Sequence, residues 1–308
     1  QSREFVMTLL LSIFASDILP IAIVAGVGYA LARFLGVQLR TLTHVVFYAT
    51  MPCLAFDMLV TAPDLGRDVA AMIGVAVLVA LSMAAVGWMV GSAARLSRVD
   101  TRAVMLVAMF SNAGNYGLPV VHFAYGDTAL AYGTIYFLTG SVLTYTLGAF
   151  VAAGARLDVA GAVRQVARIP ALYGVALALL VLGFGIDVPT PVLRPIALLS
   201  DAALPLMILV LGVQMHHATL PQRPGIMAVT VVASLVAAPL IALGWVSVLG
   251  VAGPARQAAV TLSAMPVAVA TTIVALEFDV SPAFVTSAVF VTTVLSPLTL
   301  SPLIAYLR

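Results

Sequence analysis

Long apolar runs, broken by short stretches that carry arginine, aspartate, proline or glycine, make up almost the whole chain. Each run is close to the ~20 mostly apolar residues that one helix needs to cross the hydrocarbon core of a bilayer. Read between the breaks, the pattern predicts ten spans, near 17–35, 40–62, 69–94, 102–124, 128–153, 169–186, 194–216, 225–250, 255–277 and 281–307. The longest polar stretch, 154–168, holds Arg156, Asp158, Arg164 and Arg168. It predicts a boundary between two sets of five helices, residues 1–155 and 156–308. Phe5 to Ala15 is apolar and reads as a lead-in to the first span, with no cationic segment before it of the kind that opens a cleaved signal peptide.

Composition narrows the solvent. Of 308 residues, 63% are hydrophobic and 8% are charged, against about a quarter charged in soluble domains. Lipid can solvate that much apolar surface and water cannot. The net charge of +2 is small and scattered, which argues against a nucleic-acid partner. Cys53 is the one cysteine, so the chain can form no internal disulfide and no thiolate metal cluster. No His/Asp/Glu group has metal-ligand spacing. No phosphate-binding glycine loop is present, so nucleotide-driven transport and a bound cofactor are unsupported.

Every basic residue is an arginine, and arginines near span ends set orientation. With the N-terminus outside, Arg33, Arg40, Arg95, Arg98, Arg102, Arg156, Arg164, Arg168 and Arg223 fall inside, against Arg3, Arg67, Arg194, Arg256 and Arg308 outside. Both termini are therefore expected outside. Five helices per half means that the halves enter the membrane from opposite sides. Tyr48-Ala49-Thr50-Met51-Pro52 resembles Asp201-Ala202-Ala203-Leu204-Pro205 at an offset of 153 residues, and Arg102 precedes Arg256 by 154. These traces predict an inverted repeat, an architecture of secondary transporters that places the substrate at interrupted helices near the midplane.

Two spans carry such interruptions. The fourth holds Ser111-Asn112-Ala113-Gly114-Asn115-Tyr116-Gly117-Leu118-Pro119. The Pro119 ring lacks an N–H and clashes with the carbonyl four residues back, at Asn115. Gly114 and Gly117 ease non-helical backbone, which at membrane depth is tolerated where it lines a cavity or is buried in protein. A helix restarting there would aim N–H groups and partial positive charge at an anion. Asn112 and Asn115 would add amide donors for a carboxylate. The ninth span holds Ala264-Met265-Pro266, and Pro266 is expected to break it at a matching depth.

These residues carry a family resemblance. Asn112 to Pro119 resembles the fourth-helix motif of the auxin efflux carrier family, which includes plant PIN auxin exporters and bacterial malate and malonate permeases. Ala264-Met265-Pro266, Ala275-Leu276-Glu277-Phe278, Pro282 and Thr286-Ser287-Ala288-Val289-Phe290 resemble its ninth and tenth helices, and Met51-Pro52 with Phe56 its second. The resemblance implies an all-α membrane fold of ten helices in a five-plus-five inverted repeat, like that of sodium–proton antiporters and bile-acid transporters. Helices four and nine cross where they are broken. Helices 3–5 and 8–10 form a transport domain, and helices 1, 2, 6 and 7 form a scaffold that is often dimeric. It also implies elevator-like alternating access for a small organic anion, with Asn112 on the asparagine that contacts the substrate carboxylate in plant members and Pro119 and Pro266 on the crossover prolines. The long hydrophilic loop of many plant members is replaced here by 154–168, which points to a bacterial inner membrane protein.

Charge inside a membrane is costly and marks candidate function. Asp57 lies five residues after Pro52 and Asp201 four before Pro205, each outward of its proline by about 6–8 Å at helical rise. Either would be placed to carry a coupling proton; sodium held by unwound carbonyls is the alternative coupling ion. His122, one turn beyond the interruption, either faces the solute path or packs between helices. Gln214 is expected to hydrogen-bond across helices. Glu277 and Asp279 are read as the inner end of the ninth span.

Overall fold

The computed structural model describes residues 2–61, 68–154, 159–216 and 223–308. Arg67, Arg156, Asp158 and the boundary at 155/156 lie outside the described residues. In chain order the helices are α1 (Leu10–Leu35), α2 (Leu39–Thr61), α3 (Asp68–Ala93), α4 (Arg98–Met109), α5 (Leu118–Tyr125), α6 (Asp127–Ala152), α7 (Val159–Val166), α8 (Ala171–Phe184), α9 (Thr190–His216), α10 (Pro224–Val248), α11 (Gly253–Ser263), α12 (Ala270–Glu277) and α13 (Pro282–Leu307). Among the described residues no strand forms, only an isolated β-bridge between Ser111 and Val267.

Among the described residues, seven helices, α1, α2, α3, α6, α9, α10 and α13, are long and apolar enough to cross a membrane. The expected sixth span is the shorter apolar helix α8. The expected fourth and ninth are each two helical pieces, α4 with α5 and α11 with α12. The stretch 154–168, expected as a polar connection, contains the short helix α7.

Prolines here widen helices more often than they break them. Single π-turns occupy Phe14–Ile18, Val46–Thr50, Ala113–Gly117 and Ala233–Ala237, and Pro20, Pro52, Pro119 and Pro239 each lie two residues beyond one. The carbonyl four residues before each proline falls inside the π-turn. The ring's clash with that carbonyl is relieved by fitting an extra residue into the turn, so the rod continues. A fifth π-turn, Thr144–Gly148, has no such proline.

Lipid offers helices no hydrophobic gain for associating, so close approach through small residues holds them together. A Cβ added at Gly212 of α9 would land on the Ala25 carbonyl of α1, and one at Gly28 of α1 on the Leu209 carbonyl of α9. Gly174 of α8 faces the Pro52 carbonyl of α2 in the same way. Backbone cannot step aside as a flexible side chain can, so Gly212→Ala is expected to cost about 1–3 kcal/mol or more. The check is the thermal melting temperature in detergent, with Gly244→Ala, where no atom lies within 4 Å, as a control that leaves it unchanged.

Polar groups staple the bundle at both ends. At the end expected to face the cytoplasm, the Ser97 hydroxyl caps α4 by accepting the Asp100 N–H at 3.1 Å. The Asp100 carboxylate accepts from Ser97 (2.9 Å) and from Ser281 at the start of α13 (2.8 Å), and it pairs with Arg223 at the start of α10 (2.9 Å). Burial works against its charge, but the hydrogen bonds from Arg223, Ser281 and Ser97 and the Arg223 charge outweigh it, holding the carboxyl below the usual carboxylate range.

At the opposite end, Asp17 lies within the first π-turn of α1, buried, where the apolar pattern had placed the start of a span. It accepts the Ser16 hydroxyl at 2.8 Å and pairs with Arg308 at 2.6 Å. The Arg308 guanidinium also reaches the Ala124 carbonyl of α5 at 3.2 Å. This network ties α1, α5 and the residue following α13 together.

Candidate functional site

α4 stops at Met109 because Phe110 turns extended, with φ −124° and ψ 116°. Helical geometry resumes with the π-turn Ala113–Gly117. α11 stops at Ser263, and α12 starts at Ala270. The two gaps meet side by side. The Asn112 N–H donates to the Pro266 carbonyl (2.6 Å), and the Ala268 N–H donates to the Phe110 carbonyl (2.9 Å), forming a short antiparallel bridge. The Ser111 hydroxyl donates to the Leu262 carbonyl at 2.7 Å, and the Val267 N–H donates to the Thr292 hydroxyl of α13 at 3.0 Å. Each interruption therefore supplies partners for peptide groups that the other leaves open. The break lies at Phe110–Asn112, upstream of where the Pro119 clash would put it, and Pro119 sits in the first turn of α5.

The expected glycines permit the approach. A Cβ on Gly114 would meet the Phe137 ring, and one on Gly117 would meet Leu262 and Met265. In the gaps themselves, the peptide N–H groups of Asn112, Val267 and Ala268 are all engaged within the protein.

Asn112 is the residue that stands out. It occupies the cap position of the π-turn, where an asparagine ordinarily accepts a backbone N–H through its side chain, but it makes no such bond. The residue is 6% exposed, and its Nδ2 is buried with no hydrogen-bond partner. A donor left in that state costs about 1–3 kcal/mol, and native folds keep few of them without a reason.

Beside the bridge lies a cavity of about 380 Å³. Its wall includes Asn112, Gly114 and Asn115 from the interruption, Tyr136 and Phe137 from α6, and Gln214 from α9. It runs on to His44 of α2 and to Gln165, Arg168 and Glu277 at the end expected to face the cytoplasm. Among the described lining residues, Arg168 is the one arginine and Glu277 the one carboxylate. The Gln165 amide donates to Glu277 at 3.3 Å, linking α7 to α12 across that end.

The sequence-derived residues divide cleanly. Asn112, Gly114, Asn115 and Gln214 line the cavity. Gly117, Pro119, Ala264, Met265 and Pro266 are buried behind it, with Pro266 acting through its carbonyl. Asp57 is half-buried and Asp201 is exposed, and neither is in the wall. His122 is likewise outside the wall, with its Nδ1 3.2 Å from the Asp127 carboxylate. Gln214 makes no cross-helix bond through Oε1, which is buried and unpaired. Sequence reasoning missed His44, Gln165, Arg168 and Glu277 as wall residues, because polar groups at span ends read as interfacial.

The family model described as membrane transport protein, the auxin efflux carrier family, matches residues 13–165 and 160–304. The chain belongs to that family. Two archaeal relatives match nearly end to end. An uncharacterized transporter of Methanothermobacter thermautotrophicus is 26% identical over 288 residues, 91% of this chain and 93% of the relative. An uncharacterized transporter of Methanocaldococcus jannaschii is 23% identical over 298 residues, 92% of this chain and 96% of the relative. Membership in the auxin efflux carrier family makes this a membrane transport protein. The motif that carried the resemblance, Asn112 to Pro119, is the stretch that forms one wall of the cavity and the turn behind it.

Proposed function

We propose that this protein is a secondary transporter of small organic anions, carboxylates in particular, which bind where the interrupted helices meet. The observation that carries the reading is the unpaired, buried amide of Asn112 in the wall of the cavity beside that junction. A carboxylate offers the acceptor that Nδ2 lacks, and a hydrogen bond to a charged group in a low-dielectric site is stronger than a neutral one. The volume of about 380 Å³ lies in the range of small-molecule sites. Arg168, along the same wall, favours anions over cations at the end where it sits.

In this reading the chain is a five-plus-five inverted repeat whose two interrupted helices cross. α1, α2, α8 and α9 belong to a scaffold, which is also the surface for a homodimer, and the remaining spans carry the solute. The backbone-tight contacts of α1 with α9 and of α2 with α8 support treating those four helices as one body. Placing both termini outside a bacterial inner membrane puts Gln165, Arg168 and Glu277 of the cavity wall at the inner end, which makes the cavity an inward-facing one in this reading. Alternating access then moves the interrupted helices against the scaffold.

The test is saturable binding of a panel of mono- and dicarboxylates and aryl-acetates to the purified protein, each compared with its methyl ester. The acid of at least one pair is expected to bind and its neutral ester to bind at least about ten-fold more weakly, the loss of a charge-assisted hydrogen bond. Equal binding of acid and ester, or no binding across the panel, would refute the assignment.

A further inference from the structure

The cavity wall holds a second unpaired polar atom. Gln214 lies near the end of α9, one turn beyond Val210, on a helix that packs against the π-turn Ala113–Gly117. Its Oε1 is buried with no hydrogen-bond partner, while the residue lines the same cavity as Asn112. The two orphans are of opposite kind: Asn112 presents a donor and Gln214 an acceptor. They also come from different elements, one from the interruption after α4 and one from an unbroken helix. A glutamine serving only to bridge helices would spend its amide oxygen on a neighbour. This one does not, although Thr and Ser hydroxyls elsewhere in the bundle find carbonyls within about one turn, as Thr144 does on Gly140 at 2.8 Å.

We propose that Gln214 is a specificity-determining residue that accepts a hydrogen bond from a second group on the solute, so that the preferred ligand is a carboxylate also bearing an O–H or N–H donor. The inference rests on the organic-anion reading above and deepens it. Asn112 engages the carboxylate and Gln214 the donor, and Tyr136 and Phe137 of the same wall offer apolar surface to the rest of the solute. A site with a buried acceptor discriminates strongly against a ligand that leaves the acceptor unpaired, much more than an apolar pocket discriminates by size. The split between helices also gives the ligand a mechanical role. A solute bridging α9 and the interruption touches both bodies that alternating access must move.

The experiment uses matched probes that differ by one donor: L-malate against succinate, and indole-3-acetate against 1-methylindole-3-acetate. Affinities for the purified full chain are measured calorimetrically. In each pair that binds, the donor-bearing member is expected to bind about ten-fold or more tightly in the unmodified protein. Gln214→Met, similar in length but without the amide, is expected to bring that ratio to within about two-fold, and Gln214→Leu to do the same should the methionine variant fold poorly. A ratio that survives in either folded variant, or an unmodified protein that binds the donor-less member equally well, overturns the role of Gln214 while leaving the anion site standing. Absence of binding by all four acids overturns the role of Gln214, and the anion reading falls with it only when the wider carboxylate panel also fails to bind.

Discussion

Asn112→Ala is expected to weaken carboxylate binding by about 10- to 150-fold, the loss of one hydrogen bond to a charged group. It is also expected to leave the melting temperature of the ligand-free protein unchanged or slightly raised. The second half of that expectation separates a binding role from a structural one. A structural asparagine is hydrogen-bonded, and truncating it leaves its partners stranded. Asn112 Nδ2 has no partner to strand, and its side chain does not cap the π-turn, so alanine removes an unsatisfied donor at no loss. The backbone bond from Asn112 N–H to the Pro266 carbonyl does not depend on the side chain and is retained. Asn115→Ala, in the same wall, provides a comparison at a residue whose amide is not buried without a partner. Normal affinity in a folded Asn112→Ala protein would remove this residue from the site.

Arg308→Ala is expected to destabilise the bundle by about 3 kcal/mol, at the lower end of the range for breaking a buried ion pair because the arginine is itself partly exposed. Asp17 is 3% exposed on its side chain and Arg308 is 37% exposed. Removing the arginine leaves a carboxylate with only the Ser16 hydroxyl in an apolar setting. Removing the charge from the other side, Asp17→Asn, leaves a guanidinium that can turn to water and keep the Ala124 carbonyl. The asymmetry is the prediction: Arg308→Ala loses more thermal stability than Asp17→Asn, and the double variant regains part of the loss, giving a coupling energy by double-mutant cycle. Equal losses with no coupling would mean that the pair contributes little to holding α1 to α5.

Class and junction were legible in the chain because both are written in local chemistry. Apolar runs of spanning length have one reading in lipid. Two asparagines, two glycines and a proline within nine positions cannot continue an ordinary helix at no cost. The depth of the break was less legible, since Pro119 looked like its cause. The clash was absorbed by a widened turn, and the chain left helical geometry at Phe110 instead, where α11 and α12 offered an antiparallel partner. That partner, Val267 opposite Ser111, is 156 residues away in sequence, beyond any local signal. Asp17 was passed over for a similar reason. A lone carboxylate at the edge of an apolar run looks wet, and only its meeting with Arg308, 291 positions later, makes it interior. Arg168 and Glu277 were read one at a time as span ends, and nothing local says that both border one hollow. Asp57 and Asp201 attracted notice because intramembrane charge is rare, but neither is in the wall of the cavity.

The widened turns have a bearing on how any labelling scan of this protein must be decoded. An extra residue in one turn advances the azimuth of everything downstream by about 100°, one step of a 3.6-residue helix. Along α1, α2 and α10, a reagent-reactivity wave fitted with a single phase from end to end would therefore assign the wrong face to the segment on one side of the turn in each rod. Fitted in two segments, with the phase reset at Phe14–Ile18, Val46–Thr50 and Ala233–Ala237, the same data would show which stripe of each helix meets lipid and which meets protein.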